Sequence, residues 1–275
     1  MAFYEMHRHG VSYVASDMLV SPHGFSTRLG GQSNLPHTAS LNLAFGRGDE
    51  REVVLENLTR FGAAVGFDPY GVVSVPQVHG NEVFEVDGRH RGKGYWREAD
   101  FSGDGYVTAD LSVTLGVKTA DCTPILLEAA VQGRVVAVAA LHAGWKGTVA
   151  DMAGEGVRKL MALARSTAGQ DAPVVIRAAI GPCIHACCFE VKEDCLTAVR
   201  EALGDMAEAF VSRRGEKIYL DLSALNRALL MRAGVEADHI DVCELCTVCH
   251  PDLFYSHRGS GGVRGTMLNV IRLPN

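Results

Sequence analysis

The spacing of apolar residues along the chain alternates between the patterns typical of strands and of helices. Short apolar runs bounded by glycine, proline or polar turns predict strands at about 71–78, 82–86, 112–119, 124–129, 135–141, 174–180, 239–245 and 266–273. Apolar residues three and four positions apart predict helices at about 51–66, 148–165, 191–204 and 221–233. The first 50 residues contain mainly loop signals. Because strand and helix signals alternate without segregating, we predict the α/β (α+β) class, with a layered α/β/α core around a mixed β-sheet.

Length and composition are those of a globular enzyme. The 275 residues are enough to bury a full core, and we find no internal repeat or polar linker, so we predict one domain spanning residues 1–275. Hydrophobic residues make up 47% of the chain and charged residues 21%, which excludes a disordered chain. The net charge of −6 argues against nucleic acid as a main partner, while leaving room for a local anion pocket. The oligomeric state is left open.

The apolar pattern predicts neither a membrane span nor a signal peptide. No apolar run approaches the roughly 18–20 residues that a membrane span needs. The amino terminus lacks the charged-then-apolar order of a signal peptide. We therefore expect a cytoplasmic location without a membrane partner, where thiols stay reduced. The eight cysteines are then ligands, nucleophiles or small core residues rather than a disulfide framework.

Three candidate metal ligands, His79, Cys122 and His142, lie at or just beyond the ends of predicted strands. Strand ends meet at one edge of an α/β core, where sites are usually built. Two imidazoles and a thiolate suit catalytic zinc, which commonly takes three protein ligands and leaves a position for a reactant. Each histidine alone could be a buried structural residue, but the set of three favours a metal site. Asp121 could orient a ligand histidine or simply stabilise the turn.

A second group of cysteines lies near the carboxyl end. Cys243-Glu244-Leu245-Cys246-Thr247-Val248-Cys249-His250 contains two successive CxxC spacings and a histidine. Such spacing is found in structural zinc and iron–sulfur sites. A matching downstream ligand pair is missing, although the cysteines at 183, 187, 188 and 195 could supply partners. A reduced thiol cluster packed near the site is the alternative that we favour.

One loop has the residues of an anion site. Phe25-Ser26-Thr27-Arg28-Leu29-Gly30-Gly31 combines hydroxyl groups, an arginine and two glycines, which suits an oxyanion held by side-chain and backbone donors. A glycine-rich surface loop is the alternative. Arg258, in Tyr255-Ser256-His257-Arg258-Gly259, could add a cation to a pocket or lie in an exposed turn.

Taken together, these motifs resemble the YfiH-type family, also described as polyphenol oxidoreductase or laccase-domain proteins and as purine nucleoside phosphorylases. The resemblance covers nearly the whole chain and rests on motifs in the family's order: Phe25-Ser26-Thr27-Arg28 with Gly30-Gly31, Leu41-Asn42-Leu43, Gln77-Val78-His79-Gly80, Ala120-Asp121-Cys122-Thr123-Pro124, His142-Ala143-Gly144-Trp145-Lys146-Gly147, Ile180-Gly181-Pro182-Cys183-Ile184, Phe189-Glu190-Val191, Cys246-Thr247 and Phe254-Tyr255-Ser256-His257-Arg258. The chain departs from the family at His257 and in the extra cysteines at 187, 188, 243 and 249.

The resemblance implies a catalytic zinc ion held by His79, Cys122 and His142. It implies phosphorolysis of adenosine, inosine, guanosine and methylthioadenosine, together with adenosine deamination. By the same resemblance, Arg28 and Asn42 are expected to contact phosphate or substrate. Cys246 and Arg258 are candidate pocket residues.

Three other functions stay open at this point. The family's laccase name suggests a copper-dependent polyphenol oxidase, but the 11 histidines include a single HxH pair, at His7 and His9. Copper could still replace zinc at the same ligands, because it outcompetes zinc at most such sites. A cysteine–histidine hydrolase with Cys122 as nucleophile, such as an amidase acting on a cell-wall precursor, is the second alternative. A zinc-stabilised binding protein is the third.

Overall fold

The computed structural model describes residues 2–275, which contain both helices and strands. In chain order the strands are β1 (Phe3–Arg8), β2 (Val11–Ser16), β3 (His23–Ser26), β4 (Val72–Val73), β5 (Val83–Glu85), β6 (Gly105–Thr108), β7 (Thr114–Thr119), β8 (Thr123–Val131), β9 (Arg134–Ala143), β10 (Val174–Ile180), β11 (Glu190–Val191), β12 (Val211–Arg214), β13 (Lys217–Leu220), β14 (Ile240–Val242) and β15 (Met267–Arg272). The α-helices are α1 (Arg51–Val65), α2 (Trp145–Val149), α3 (Met152–Ala168), α4 (Glu193–Leu203) and α5 (Leu222–Arg232).

The strands form two six-stranded sheets and a small three-stranded one. The first sheet has the order β1-β2-β3-β15-β7-β4, and the second has the order β14-β10-β8-β9-β6-β5. Both are mixed, since β4 lies parallel to β7, and β5 lies parallel to β6, among otherwise mostly antiparallel neighbours. Strands β11, β13 and β12 make the small sheet beside α4. The predicted α/β class with mixed sheets is confirmed, and the strands are divided among sheets where we expected one.

The two large sheets pack face to face, and helices cover their outer faces. Alternate residues of one strand show this arrangement: on β9, Val138 and Ala140 face the first sheet, whereas Ala139 and Leu141 face α3. Helix α1 covers the first sheet through a separate core that includes Phe61. The layers therefore run helix, sheet, sheet, helix, which is one sheet more than the layered α/β/α arrangement predicted from the sequence.

The sequence pattern located the long elements and missed several short ones. The predicted helices and the strands from 112 to 180 lie within a few residues of their observed positions. The first 50 residues, however, contain β1, β2 and β3 rather than loops alone. Of the strand predicted at 71–78, only the two residues of β4 are in a strand, and residues 74–80 form the loop that carries His79. Within residues 2–275, none of the helices is long and apolar enough to cross a membrane.

Candidate active site

The three candidate ligands converge although they are far apart in the sequence. His79 lies on the loop after β4, Cys122 lies between β7 and β8, and His142 lies near the end of β9. One ligand atom from each of the three lies within 4.8 Å of the other two. The two imidazole rings are nearly perpendicular, at 82°, with centroids 4.9 Å apart. The geometry therefore gathers two ring nitrogens and one sulfur around a single point.

Two sets of partly buried hydrogen bonds hold the His79 loop against this point. The side-chain amide of Gln77 bonds to both backbone polar groups of Lys118 on β7. It donates to the Lys118 carbonyl over 2.9 Å and accepts the Lys118 backbone N–H over 2.7 Å. The carboxylate of Asp104 accepts the backbone N–H groups of Val78, His79 and Gly80 over 2.8 to 3.0 Å. The loop thus obtains the hydrogen bonds that a strand would otherwise supply.

The same carboxylate orients a candidate ligand. His142 Nδ1 donates to Asp104 Oδ1 over 2.7 Å, and both side chains are buried. Because Nδ1 is engaged, Nε2 is the nitrogen left to face the gathered ligands. Asp104 was missed in the sequence. The only signal for it is an acidic residue between Gly103 and Gly105 at the start of a short strand.

Of the two roles predicted for Asp121, its contacts fit stabilisation of the turn, since its carboxylate bonds to Thr247 and Arg258 rather than to a ligand histidine. Its Oδ1 accepts the hydroxyl of Thr247 over 2.7 Å, and its Oδ2 accepts the backbone N–H of Arg258 over 2.6 Å. The residue has a φ of 94°, in the left-handed region. Its carboxylate therefore ties the turn before Cys122 to the carboxyl-terminal segment.

Charge pairing activates the thiol in the metal-free protein. Burial raises the pKa of Cys122, but the neighbouring His142 and His79 outweigh it and bring that pKa down to about 6. Burial lowers the pKa of His142, but the Cys122 thiolate and the Asp104 carboxylate outweigh it and raise that pKa to about 9. Between those values the pair exists as thiolate and imidazolium. A thiolate is the form that binds metal and attacks electrophiles.

Gly144 leaves the space that the ligands need. A methyl group at this position would lie 3.1 Å from Cys122 Sγ and 3.2 Å from His79 Cδ2. The backbone φ of −67° is open to any residue, so the requirement is for space rather than for flexibility. Gly144 also begins α2, in the turn that follows His142.

The ligand set opens into a large cavity with a cationic wall. The cavity has a volume of about 740 Å³ and is lined by His79, Cys122 and His142, and also by Arg47, Arg51, Tyr95, Trp96, Lys118 and Arg264 among others. Burial and the nearby Arg47 lower the pKa of Lys118 to about 8 and that of Arg264 to about 10. Positive charges are therefore concentrated in this wall, although the net charge of the protein is negative.

Two guanidinium groups in this wall have unused donors. The Nε–H groups of Arg47 and Arg264 are buried and have no hydrogen-bond partner among residues 2–275. Buried N–H groups normally find an acceptor, because an unpaired one costs about 1–3 kcal/mol. The wall is therefore suited to receive an anion with oxygen acceptors.

The two residues expected to contact phosphate have other partners. Arg28 donates from Nε to the carbonyl of Ala39 over 2.9 Å and from a terminal nitrogen to that of Pro251 over 2.8 Å. Its guanidinium also lies over the ring of Tyr255. Asn42 is buried, and its side chain bonds to neighbouring loops, including the backbone N–H of Thr266 over 3.0 Å. Both side chains hold loops together and lie outside the set that lines the cavity.

The two candidate pocket residues, Arg258 and Cys246, lie outside the cavity that contains the ligand set. Arg258 donates to the carbonyl of Glu190 over 2.9 Å, lies over the ring of Phe189, and lines a separate cavity. Cys246 is buried and belongs to a cluster of four cysteine sulfurs. Neither residue lines the cavity that contains His142.

A family model described as multi-copper polyphenol oxidoreductase laccase matches residues 22–274. The chain belongs to this family. A purine nucleoside phosphorylase of Deinococcus radiodurans is 37% identical over 265 residues, which cover 96% of this chain and 94% of that protein. The adenosine deaminase RL5, from an unknown prokaryotic organism, is 34% identical over 240 residues, covering 86% and 88% of the two chains. The laccase family thus includes relatives named for two different reactions on purine nucleosides.

Solved structures of this family share the whole fold. The crystal structure of YlmD from Geobacillus stearothermophilus has a TM-score of 0.86 and 33% identity, and the match covers 99% of both chains. The resemblance to the YfiH-type family that the sequence motifs carry is therefore confirmed. These relatives support an enzyme of the purine nucleoside phosphorylase kind.

Proposed function

We propose that this protein is a zinc-dependent purine nucleoside phosphorylase that cleaves adenosine, inosine, guanosine and methylthioadenosine with phosphate and also deaminates adenosine. One observation carries the proposal. The same cavity is lined by the His79, Cys122 and His142 ligand set and by Arg47 and Arg264, whose buried Nε–H groups have no partner. The candidate metal ligands and the cations suited to an anion therefore share one cavity. The names of the relatives, purine nucleoside phosphorylase and adenosine deaminase, support purine nucleosides as the substrate class.

The ligand set fits a zinc ion. The ligand atoms lie close enough to share one ion, the thiol of Cys122 has a lowered pKa, and Asp104 fixes the ring of His142. Three protein ligands leave one position of a tetrahedral ion free, as in catalytic zinc sites. Zinc held there would supply Lewis-acid charge to a reactant in the cavity.

The cationic wall fits the phosphate. In phosphorolysis a phosphate oxygen bonds to ribose C1′, the bond from C1′ to the purine nitrogen breaks, and the departing purine takes up a proton. Arg47 and Arg264 would donate their free N–H groups to the phosphate oxygens, and Lys118 would add charge. Held in this way, the phosphate is oriented and kept close to the sugar, which removes much of the entropic barrier.

Aromatic side chains on the cavity wall suit a purine base. Phe45, Tyr95 and Trp96 all line the cavity, and the rings of Phe45 and Tyr95 lie 5.6 Å apart. Flat apolar faces bind a purine through stacking, while the ring edges remain free for polar contacts. We infer that the base lies against these rings and the phosphate against the cations.

The experiment uses protein whose metal content has been measured. It is incubated with adenosine in the presence and absence of phosphate, and adenine, inosine, hypoxanthine and ribose 1-phosphate are separated. We expect adenine and ribose 1-phosphate only with phosphate, and inosine in either case. His142→Ala should lose zinc and both activities. A wild-type protein that contains zinc and forms none of these products would refute the proposal.

The cysteine hydrolase is the second candidate, because one observation favours it. Cys122, His142 and Asp104 have the order of nucleophile, base and orienting carboxylate, with a thiolate already formed near neutral pH. An active metal-free enzyme that Cys122 alkylation inactivates would establish this function, with a cell-wall amide as one substrate class to test. Zinc in stoichiometric amount and loss of activity on chelation would instead support the phosphorylase.

Copper chemistry has less support from the ligands. A multicopper oxidase needs several imidazole-rich copper sites. Each group of candidate metal ligands found among residues 2–275 contains at most two histidines. Copper could occupy the His79, Cys122 and His142 site in place of zinc, and phenol oxidation would then depend on the metal loaded.

A further inference from the structure

Four cysteines that the proposed reaction does not use form a compact sulfur cluster. The four-cysteine cluster consists of Cys187, Cys188, Cys246 and Cys249, whose sulfur atoms all lie within 4.8 Å of one another. Cys249 Sγ lies 3.5 Å from Cys187 Sγ and 3.5 Å from Cys188 Sγ. A disulfide needs about 2.05 Å, and all four thiols are free in the structure. The sulfurs are thus gathered without being bonded to one another.

Their spacing matches a tetrahedral ion. With zinc–sulfur distances of about 2.3 Å, the four sulfurs of a tetrahedral site lie about 3.8 Å apart. The observed separations include 3.5 Å and reach at most 4.8 Å, so they bracket that value. An iron–sulfur cluster would need the cysteines further apart, because its own irons and sulfides lie between them.

The backbone around Cys246 is arranged for a charged sulfur. The N–H of His185 points at Cys246 Sγ over 3.5 Å. The backbone N–H groups of Cys249 and Val248 also approach this sulfur. N–H groups around a ligand sulfur stabilise the thiolate and fix its position. The chain therefore shapes this position for a thiolate rather than for an inert thiol.

The four sulfur atoms lie too close together to ionise without a counter-charge. Four thiolates cannot gather at one point unless a cation balances them, since like charges this close disfavour ionisation. A divalent ion removes that penalty and binds as the protons leave.

We propose that Cys187, Cys188, Cys246 and Cys249 hold a structural zinc ion, separate from the ion at His142. All four positions of the ion are filled by protein, as in closed structural sites. The site joins the segment around 185–189 to the Cys246–Cys249 turn, beside the backbone hydrogen bond from Thr247 N–H to the carbonyl of Cys183 over 3.0 Å. Arg214 secures the first segment by donating to the carbonyls of Ala186 and Cys187.

The proposed ion also bears on the active site through Asp121. Thr247, between the two cysteines of the CxxC turn, donates its hydroxyl to Asp121 over 2.7 Å. The backbone N–H of Ile184 donates to the carbonyl of Asp121 over 2.9 Å. Asp121 precedes Cys122 in a left-handed turn. The structural zinc therefore holds both segments that fix this turn, and its loss should loosen the Cys122 position.

Metal content per chain tests the proposal without reference to activity. Protein produced with zinc and purified under reducing conditions is expected to contain about two zinc ions per chain, whereas Cys249→Ser and His142→Ala should each contain about one. Cys195→Ser is the matched control, because Cys195 is buried outside both sites, and it should keep about two. About one zinc in wild type, unchanged in Cys249→Ser but lost in His142→Ala, would overturn the proposal, as would iron in place of zinc.

A second measurement covers the case in which Cys249→Ser fails to fold. Cobalt is exchanged into the His142→Ala protein, and absorption from thiolate-to-cobalt charge transfer is recorded. This variant has lost the ligand set of the active site, so intense tetrathiolate absorption must come from the four-cysteine cluster. A folded His142→Ala protein without such absorption would rule out a metal there. The two variants also separate this proposal from the proposed function, because each empties one site.

Discussion

Asp104 Oδ1 accepts a hydrogen bond from His142 Nδ1 over 2.7 Å, with both side chains buried. The same carboxylate accepts three backbone N–H groups of the loop that presents His79. One aspartate thus sets the position of two candidate ligands that are 63 residues apart in the sequence. The cost of burying its charge is offset by four donors.

Replacing this aspartate tests that role. In Asp104→Asn, the amide nitrogen would face N–H donors and the negative partner of His142 would be lost. We expect zinc affinity to fall about 10- to 100-fold, measured by competition with a chromophoric chelator. Asp110→Asn is the control, because Asp110 also accepts two backbone N–H groups, those of Gly88 and Ser112, outside the site. Equal zinc affinities in the two variants would contradict the assignment.

Gly144 provides a test of space at the ligands. In Gly144→Ala the new methyl group would lie 3.1 Å from Cys122 Sγ, so the ligands must shift by a few tenths of an ångström. We expect weaker zinc binding and lower turnover, with a stability loss of about 1–3 kcal/mol by thermal unfolding. Gly80→Ala is the control, since its methyl group would meet neighbours at 3.7 Å. A Gly144→Ala protein with normal zinc affinity would show that the contact is tolerated.

The ligand set could be predicted from the sequence because each member comes at or just after the end of an apolar run. His142 is the next-to-last residue of β9 and Cys122 lies between β7 and β8, whereas His79 lies on a loop after the two-residue strand β4. Asp104 could not be found, because it precedes the short strand β6 and its role depends on contacts across the sheet. Local sequence does not show which backbone N–H groups a distant carboxylate will meet.

The phosphate contacts illustrate the same limit. Arg28 lies among hydroxyls and glycines, a composition typical of anion sites, yet its donors bind two carbonyls. Arg264 lies in a polar segment without a recognisable motif, and only the packing of loops makes it line the cavity and leaves its buried Nε–H without a partner. The second large sheet was missed for a related reason, since apolar runs do not show which strands pair.

The pH dependence of thiol reactivity tests the charge pair in metal-free protein. Since the pKa of Cys122 is lowered to about 6, the thiolate predominates above that pH and is lost below it. We expect the rate of Cys122 alkylation, followed by peptide mass spectrometry, to rise up to about pH 6 and to level off by pH 7–8. In the unfolded chain the rate should keep rising toward about pH 8.5. Added zinc should suppress the reaction, and a native rate that still rises tenfold per pH unit at pH 8 would refute the pair.

Removal and replacement of the metal separates zinc chemistry from copper chemistry. Protein freed of metal by chelation, and still folded by circular dichroism, should lose phosphorolysis and deamination together. Zinc should restore both, whereas copper should fill the same ligands without restoring phosphorolysis. The products of adenosine and the oxidation of a phenol are measured on the same samples. Restoration by copper alone would favour the oxidase.

The cationic wall gives the sharpest test of the phosphate site. Arg264→Gln removes a positive charge from the cavity lining and a buried N–H that has no partner. We therefore expect the KM for phosphate to rise about 10- to 100-fold, as the loss of a charged hydrogen bond implies. Zinc content should not change. Arg28→Ala should instead lower thermal stability, because it breaks two bonds to backbone carbonyls, with a smaller effect on phosphate. Kinetics at saturating nucleoside measure both variants. If Arg28→Ala raises the KM for phosphate and Arg264→Gln leaves it unchanged, the phosphate lies at the Arg28 loop and the wall around Arg264 has another role.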